Sequence, residues 1–163
     1  MNMKRWYAIY TKPRWEKKVF DLLIEGGITA YCPLNKVHRR WSDRIKIINE
    51  PLFKSYVFVN INETQMKQVR GIAGVVNFVY WNGGPAIVRE NEIDTIKRFL
   101  NEYQFVRVES VLVPRQRIKI NSGVLMDNEG VVTRSEKNKV QVYLESLGFN
   151  LTADLQTNEI KPV

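Results

Sequence analysis

An α+β fold is predicted: one antiparallel sheet covered by helices over residues 1–105, a linker at 106–114, and a small five-stranded β-barrel over 115–163. Three observations predict it. Strand and helix patterns alternate through the first two-thirds of the chain. The texture then changes to short alternating segments separated by turn residues. Finally, "EPLFKSYVFVNI" at 50–61 is apolar on both of its faces, which suits a central strand.

"WYAIYT" (6–11) is aromatic and β-branched enough for a strand. Pro13 is expected to open a helix with Trp15, Val19, Leu22 and Leu23 on one stripe, stopped by Gly26-Gly27. From "ITAYCPL" to "IKIINEPLFKSYVFVNI" the pattern is that of strands, broken at "WSDR" by a turn, which predicts a long hairpin. Asn62 with Gln65 has the spacing of an N-cap and its partner, opening a short helix that ends near Gly71. "VVNFVYW" is another strand, "NGGP" (82–85) a turn, and Ile93, Ile96, Phe99 and Leu100 mark a third helix. Beyond 113 the short strands are "RIKI", "GVVTR", "KVQVYL", "FNLTADL" and "IKPV". Their period of two and their Val, Ile, Thr and Tyr content favour strands over helix, and Gly130 and "RSEKNK" interrupt any helix across 127–145.

Within the strand at 56–61, Val57, Val59 and Ile61 share one face, while Tyr56 and Phe58 share the other. Helices can cover the first. The second, joined by Tyr10, needs a further apolar surface, which is either a partner protein or the rest of this chain finishing its own core.

Charge divides unevenly. Residues 1–105 carry 17 Lys and Arg against 10 Asp and Glu, whereas 106–163 carry 8 against 7. The basic part suits a polyanionic partner, and equally suits a solubilising surface. Lys12, Arg14, Lys17 and Lys18 crowd the start of the first helix, where the macrodipole disfavours cations, so that side chains and free N–H groups there would make a phosphate site. Lys36, His38, Arg39, Arg40, Arg44 and Lys46 decorate the hairpin around Trp41, for nucleic acid or for protection of an edge.

Other chemistries have little support. With one cysteine, Cys32, and one histidine, His38, there is neither an internal disulfide nor a Cys/His metal cluster. Cys32 is expected to be a buried small hydrophobe, and His38 a surface residue. No nucleophile has a histidine partner and no glycine loop cradles phosphate, while Glu90, Glu92 and Asp94 are acids suited to a helix N-terminus. A non-enzyme without cofactors is expected. The absence of a long apolar run predicts a cytoplasmic protein with no membrane partner.

Four stretches in order, "WYAIYTKP", "EPLFKSYVFV", "GVVNFVYWNGGPAIV" and "RIKINSGVLMDNEGVV", resemble the NusG family of transcription elongation factors, with its amino-terminal NGN domain and its SH3-like KOW barrel. Two departures stand out. Lys54-Ser55 replaces the usual Pro-Gly after "PLF", which is similar to specialised antiterminators of the RfaH and UpxY kind, and Val124 stands where the KOW segment often has proline. The resemblance implies a monomeric factor that binds the clamp helices of RNA polymerase through Tyr10, Phe53, Tyr56 and Phe58. It further implies a bridge to the opposite jaw through Thr64, Met66 and Arg70, and suppression of pausing or termination, on a polysaccharide operon for the UpxY kind. Lys12 and Lys18, with Arg14, Lys17 and more loosely Arg70, would hold the non-template DNA strand or nascent RNA, and Arg39, Arg40 and Arg44 would extend that contact. Leu147 and Phe149 would meet a ribosomal protein or a termination factor. A ribosome-associated RNA-binding KOW protein is the competing class.

Overall fold

The computed structural model describes residues 3–81, 83–110, 126–127, 130–136 and 139–155. In chain order the strands and helices are β1 (Arg5–Thr11), α1 (Glu16–Glu25), β2 (Thr29–Tyr31), β3 (Leu34–Trp41), β4 (Arg44–Pro51) and β5 (Tyr56–Ile61). A single 3-10 turn, Glu63–Gln65, runs into α2 (Met66–Arg70), followed by β6 (Val75–Phe78), β7 (Tyr80–Trp81), β8 (Gly84–Pro85) and β9 (Ile87–Val88). Then come α3 (Glu90–Glu102), β10 (Arg107–Ser110), β11 (Met126–Asp127), β12 (Gly130–Glu136), β13 (Lys139–Leu144) and β14 (Phe149–Asp154). The mixed helix and antiparallel-sheet class is as the sequence predicts.

The chain forms two compact units, and they do not follow chain order. One comprises Met1–Pro33 with Phe53–Glu90, the other Leu34–Leu52 with Asn91–Val163. The first unit holds an antiparallel sheet in the order β2-β5-β1-β6, with β9 also on β1. Tyr7 and Ile9 of β1, Val57, Val59 and Ile61 of β5 and Phe78 of β6 form one buried cluster with Val19 and Leu23 of α1 and Val69 of α2. This is the helix-covered face that the alternation of β5 predicts. Trp15, Cys32 and Met66 pack at its margin, so Cys32 is half-buried rather than fully enclosed. Burial pushes its thiol up to about 11.

Capping follows the sequence. Asn62 and Gln65 make a reciprocal capping box, each side chain bonded to the other's backbone N–H. The Gly26 N–H donates to Leu22 O, and Gly27, at φ +79, turns the chain away from α1. One expectation fails: α1 begins at Glu16, not at Pro13. The Trp15 N–H donates to Lys12 O at 3.0 Å, with Pro13 and Arg14 between them and Arg14 at φ +68. That is a turn with proline second and a left-handed third residue, and the positive φ breaks the helix before it starts.

"VVNFVYW" is likewise not one strand. The Val79 N–H donates to Ala8 O and the Ala86 N–H to Val79 O, so β6 and β9 take successive parts of one edge of β1. Between them the chain buds out as the short ribbon β7–β8.

In the second unit β3 and β4 form a hairpin in continuous register from Leu34↔Pro51 to Trp41↔Arg44, closed by Ser42-Asp43 as "WSDR" predicts. The five-stranded sheet runs β10-β14-β13-β12-β11. Its register sets Val142 opposite Leu151 and Val140 opposite Ala153, and Val142, Leu144, Leu151 and Ala153 are buried. Residues 130–136 and 139–144 are strands, as their period of two demands. Two of the five predicted strands, "RIKI" and "IKPV", lie outside the described residues. Among the described residues β10, from within the segment expected to be linker, pairs with β14, setting Val108 opposite Leu151. Hydrogen bonds explain why α3 and the hairpin join this unit. The buried Asn35 amide donates to Val106 O at 2.7 Å and accepts from Val106 N–H at 3.0 Å, Phe105 N–H donates to Lys36 O, and Ser146 N–H donates to Glu92 of α3.

Candidate docking and nucleic-acid surfaces

On the face of the first unit's sheet away from α1 and α2, Tyr10 and Tyr56 are cross-strand partners whose rings meet edge to face at 5.1 Å, with hydroxyls 3.5 Å apart. Tyr10 is 38% exposed and Tyr56 half-buried. Burial, and then the Tyr10 hydroxyl, hold the Tyr56 phenol well above its ordinary range, so it stays neutral and able to donate. Phe53 and Phe58 differ from what the resemblance implies. At 3% and 0% exposure they are buried, crossing each other edge to face at 5.6 Å, and Phe58 also stacks on Tyr31. Phe53, in the loop before β5, packs on both Tyr56 and Phe58, so the two phenylalanines form a buried floor beside the tyrosines.

The loop that carries Phe53 is held in an unusual conformation. Ser55 adopts φ +64, its N–H donates to the Glu16 carboxylate at 2.7 Å, and its carbonyl accepts from Thr11 N–H at 2.9 Å. Two hydrogen bonds, one of them to a charge, offset the roughly 1 kcal/mol or more that a left-handed L-residue costs. Glu16 was missed in the sequence, although an acid at the first turn of a helix is a signal for it. Glu16 is itself buried, and Trp15 at the N-cap of α1 makes no side-chain capping hydrogen bond.

The cations expected around the start of α1 are gathered around one ring. Lys12 Nζ lies 5.5 Å and Lys18 Nζ 4.5 Å from the Trp15 ring centre, while Arg14 and Lys17 are exposed beside them. Gly74 makes room for that ring. It sits at φ +91, and a Cβ there would lie 2.5 Å from the indole of Trp15 and 2.8 Å from Val19.

Of the residues expected to bridge outward, Thr64 is exposed and donates to the Asn62 side chain, and Met66 is half-buried against the core. Arg70 lies 5.0 Å above the Phe78 ring and donates to the Tyr80 hydroxyl at 2.9 Å. Next to it the β7–β8 ribbon exposes Tyr80 (49%) and Trp81 (64%), an aromatic shelf that strand periodicity alone did not single out.

On the hairpin, Arg39 is paired with Glu50, and Lys46 Nζ lies 5.7 Å from the Trp41 ring. By register Arg39, Trp41, Arg44 and Lys46 share one face, whereas Arg40 lies on the other. His38 is exposed, as expected, and stacks on Phe105 at 4.2 Å. In the second unit Leu147 and Phe149 are half-buried in and after the turn that follows β13, whose Gly148 adopts φ +69. Among the described residues no group of three His, Cys, Asp or Glu could hold a metal ion, and no helix is long and apolar enough to cross a membrane.

The first unit's sheet thus has one face under helices and a tyrosine pair on the other, with cations gathered around Trp15. The profile described as "Transcription termination factor nusG" matches residues 4–97, and the chain belongs to the NusG family. It is similar to the "Transcription termination/antitermination protein NusG" of Pseudomonas aeruginosa, 24% identical across 98% of this chain and 99% of that one. The protein of the same name from Streptococcus pyogenes is 27% identical across 96% and 95%. A solved structure titled "Domain interaction in Thermotoga maritima NusG" aligns over 97% of this chain and 98% of its own, with a TM-score of 0.48 and 19% identity. The chain is thus a NusG-like transcription termination/antitermination factor.

Proposed function

We propose that the protein binds the clamp helices of RNA polymerase through Tyr10 and Tyr56 and suppresses pausing or termination during elongation, on a restricted set of operons. The observation that carries this reading is the tyrosine pair on its buried phenylalanine floor. Tyrosines supply apolar area and a hydroxyl at low entropic cost, and a rigid floor lowers the cost of ordering them on binding. Family membership makes polymerase the natural partner. Tethering requires no bond chemistry, in keeping with a non-enzyme.

Nucleic acid is assigned to Lys12, Arg14, Lys17 and Lys18, with Arg39 and Arg44 of the hairpin as an extension. Arg14 supports the assignment, since it occupies a left-handed position that glycine fills at lower cost. Arg70 with the Tyr80–Trp81 shelf adds a cation beside two stackable rings, the composition that single-stranded nucleic acid selects. Thr64 and Met66 are assigned to a second polymerase surface. Residues 1–105 act as the polymerase-binding domain and the carboxyl part as a recruiter of a ribosomal protein or termination factor through Leu147 and Phe149. Restriction to particular operons, with polysaccharide operons the first to examine, rests on Lys54-Ser55 in place of Pro-Gly.

The test is binding to purified polymerase core and to ribosomes, followed by pause and terminator read-through on a defined template. Polymerase binding that Tyr10→Ala and Tyr56→Ala weaken, with read-through lost in parallel, is expected. Retention on ribosomes alone would replace this reading with the ribosome-associated one.

A further inference from the structure

The β3–β4 hairpin has one face that nucleic acid does not explain. Register divides it cleanly. One face carries Asn35, Val37, Arg39 and Trp41 opposite Glu50, Ile48, Lys46 and Arg44; at its base Asn35 is buried and Val37 and Ile48 are half-buried. The other face carries Leu34, Lys36, His38 and Arg40 opposite Pro51, Asn49, Ile47 and Ile45. There Leu34 is 43%, Ile47 53% and Ile45 64% exposed, and Lys36 and Arg40 are exposed too. An open hairpin face normally carries polar side chains, since each exposed aliphatic forgoes burial and invites association.

We infer that this second face is a docking surface for an acidic, aliphatic segment of a protein partner bound in extended form. Lys36 and Arg40 form a basic column on either side of His38, whose ring is stacked on Phe105, and Ile47 and Ile45 an aliphatic column beside it, both at the two-residue spacing of a strand. Among the described residues Lys36 and Arg40 meet no carboxylate; the hairpin's ion pair, Arg39–Glu50, is on the opposite face. Phosphodiesters would satisfy the cations and leave the isoleucines against water. A segment that alternates carboxylates with Val, Leu or Ile satisfies both columns at once, and the cations exclude basic competitors. Trp41 with Lys46 and Arg44 leaves the first face to bases and phosphates, so a single ribbon serves two kinds of partner. This assignment goes beyond the polymerase reading and does not depend on Tyr10 or Tyr56.

The experiment uses the full-length protein and two fluorescein-labelled probes, an octapeptide of alternating Glu and Val and a twelve-nucleotide single-stranded DNA. Ile45→Ser with Ile47→Ser is expected to weaken the peptide at least tenfold and to leave the DNA within twofold, and Lys36→Glu with Arg40→Glu to weaken the peptide equally. Arg44→Gln with Lys46→Gln is expected to do the reverse. All six positions are exposed, and coincident melting curves check that each variant is folded. Peptide binding that is absent, or unmoved by the isoleucine pair, overturns the proposal. DNA binding that falls as far with the isoleucine pair as with Arg44 and Lys46 overturns it in favour of nucleic acid on both faces, and concentration-dependent sedimentation that the isoleucine pair abolishes overturns it in favour of a second copy of this chain.

Discussion

Tyr56 and Trp41 are both strand aromatics that reach solvent, yet their surroundings differ. Tyr56 stands on Phe53 and Phe58, crosses Tyr10, and lies next to a loop pinned by Glu16. Trp41 stands at the end of a two-stranded ribbon, 55% exposed, with the Lys46 ammonium 5.7 Å from its ring centre. The first is held in one place before any partner arrives, whereas the second can follow the shape of what it meets. Exposure alone would rank Trp41 as the better interface anchor; the buried floor favours the tyrosines for the proposed polymerase contact, because affinity depends on how little must be ordered on binding.

The comparison breaks most directly at the floor. Phe58→Ala removes a fully buried ring and is expected to cost about 3–5 kcal/mol in urea unfolding, and Gly74→Ala, forced against Trp15 and Val19 at a positive φ, about 3 kcal/mol. Phe58→Ala melting like the parent would mean that the floor is not part of the core, and Gly74→Ala doing so would mean that Gly74 is not pressed against Trp15 and Val19. Tyr56→Ala is expected to cost polymerase binding about 1–3 kcal/mol and to lose less in folding than Phe58→Ala does, measured by titration and by melting. Equal folding losses would erase the distinction between floor and surface.

Smaller effects sharpen it. Ser55→Gly, which relieves a left-handed serine and keeps both backbone hydrogen bonds, is expected to stabilise by up to about 1 kcal/mol in the same unfolding assay. Destabilisation would show the serine hydroxyl to be needed. Arg44→Gln with Lys46→Gln should leave melting within about 0.5 kcal/mol and lower the salt slope of single-stranded DNA binding by about 1.4, from two lost phosphate contacts. An unchanged slope takes nucleic acid off the hairpin. Smallest is an alkaline effect near the sheet. Tyr31 and Cys32 have folded values raised to about 12 and about 11 from 10.0 and 9.0, so each favours the fold while neutral. That contribution is whole below pH 9 and is lost as pH rises through 11 to 12, so melting temperature should fall across this window and Tyr31→Phe should soften the fall.

The sequence by itself determined the strands and helices whose signals are local. The period of two in β5 assigned Val57, Val59 and Ile61 to the helices, Asn62 and Gln65 announced their capping box, Gly26-Gly27 ended α1, and Ser42-Asp43 closed the hairpin. Each depends on side chains within a few residues, where spacing fixes which groups can meet. Only the tertiary structure decided the rest. It buried Phe53 and Phe58 while leaving Tyr56 half-buried, carried Glu16 to Ser55 across 39 residues, and joined Asn35 to Val106 across 71. It also placed Arg14 and Ser55 in left-handed turns that neither residue type prefers. Burial and strain of this kind are set by segments far apart in the chain closing on one another, and no local period records which of two apolar faces the remainder of the molecule will cover.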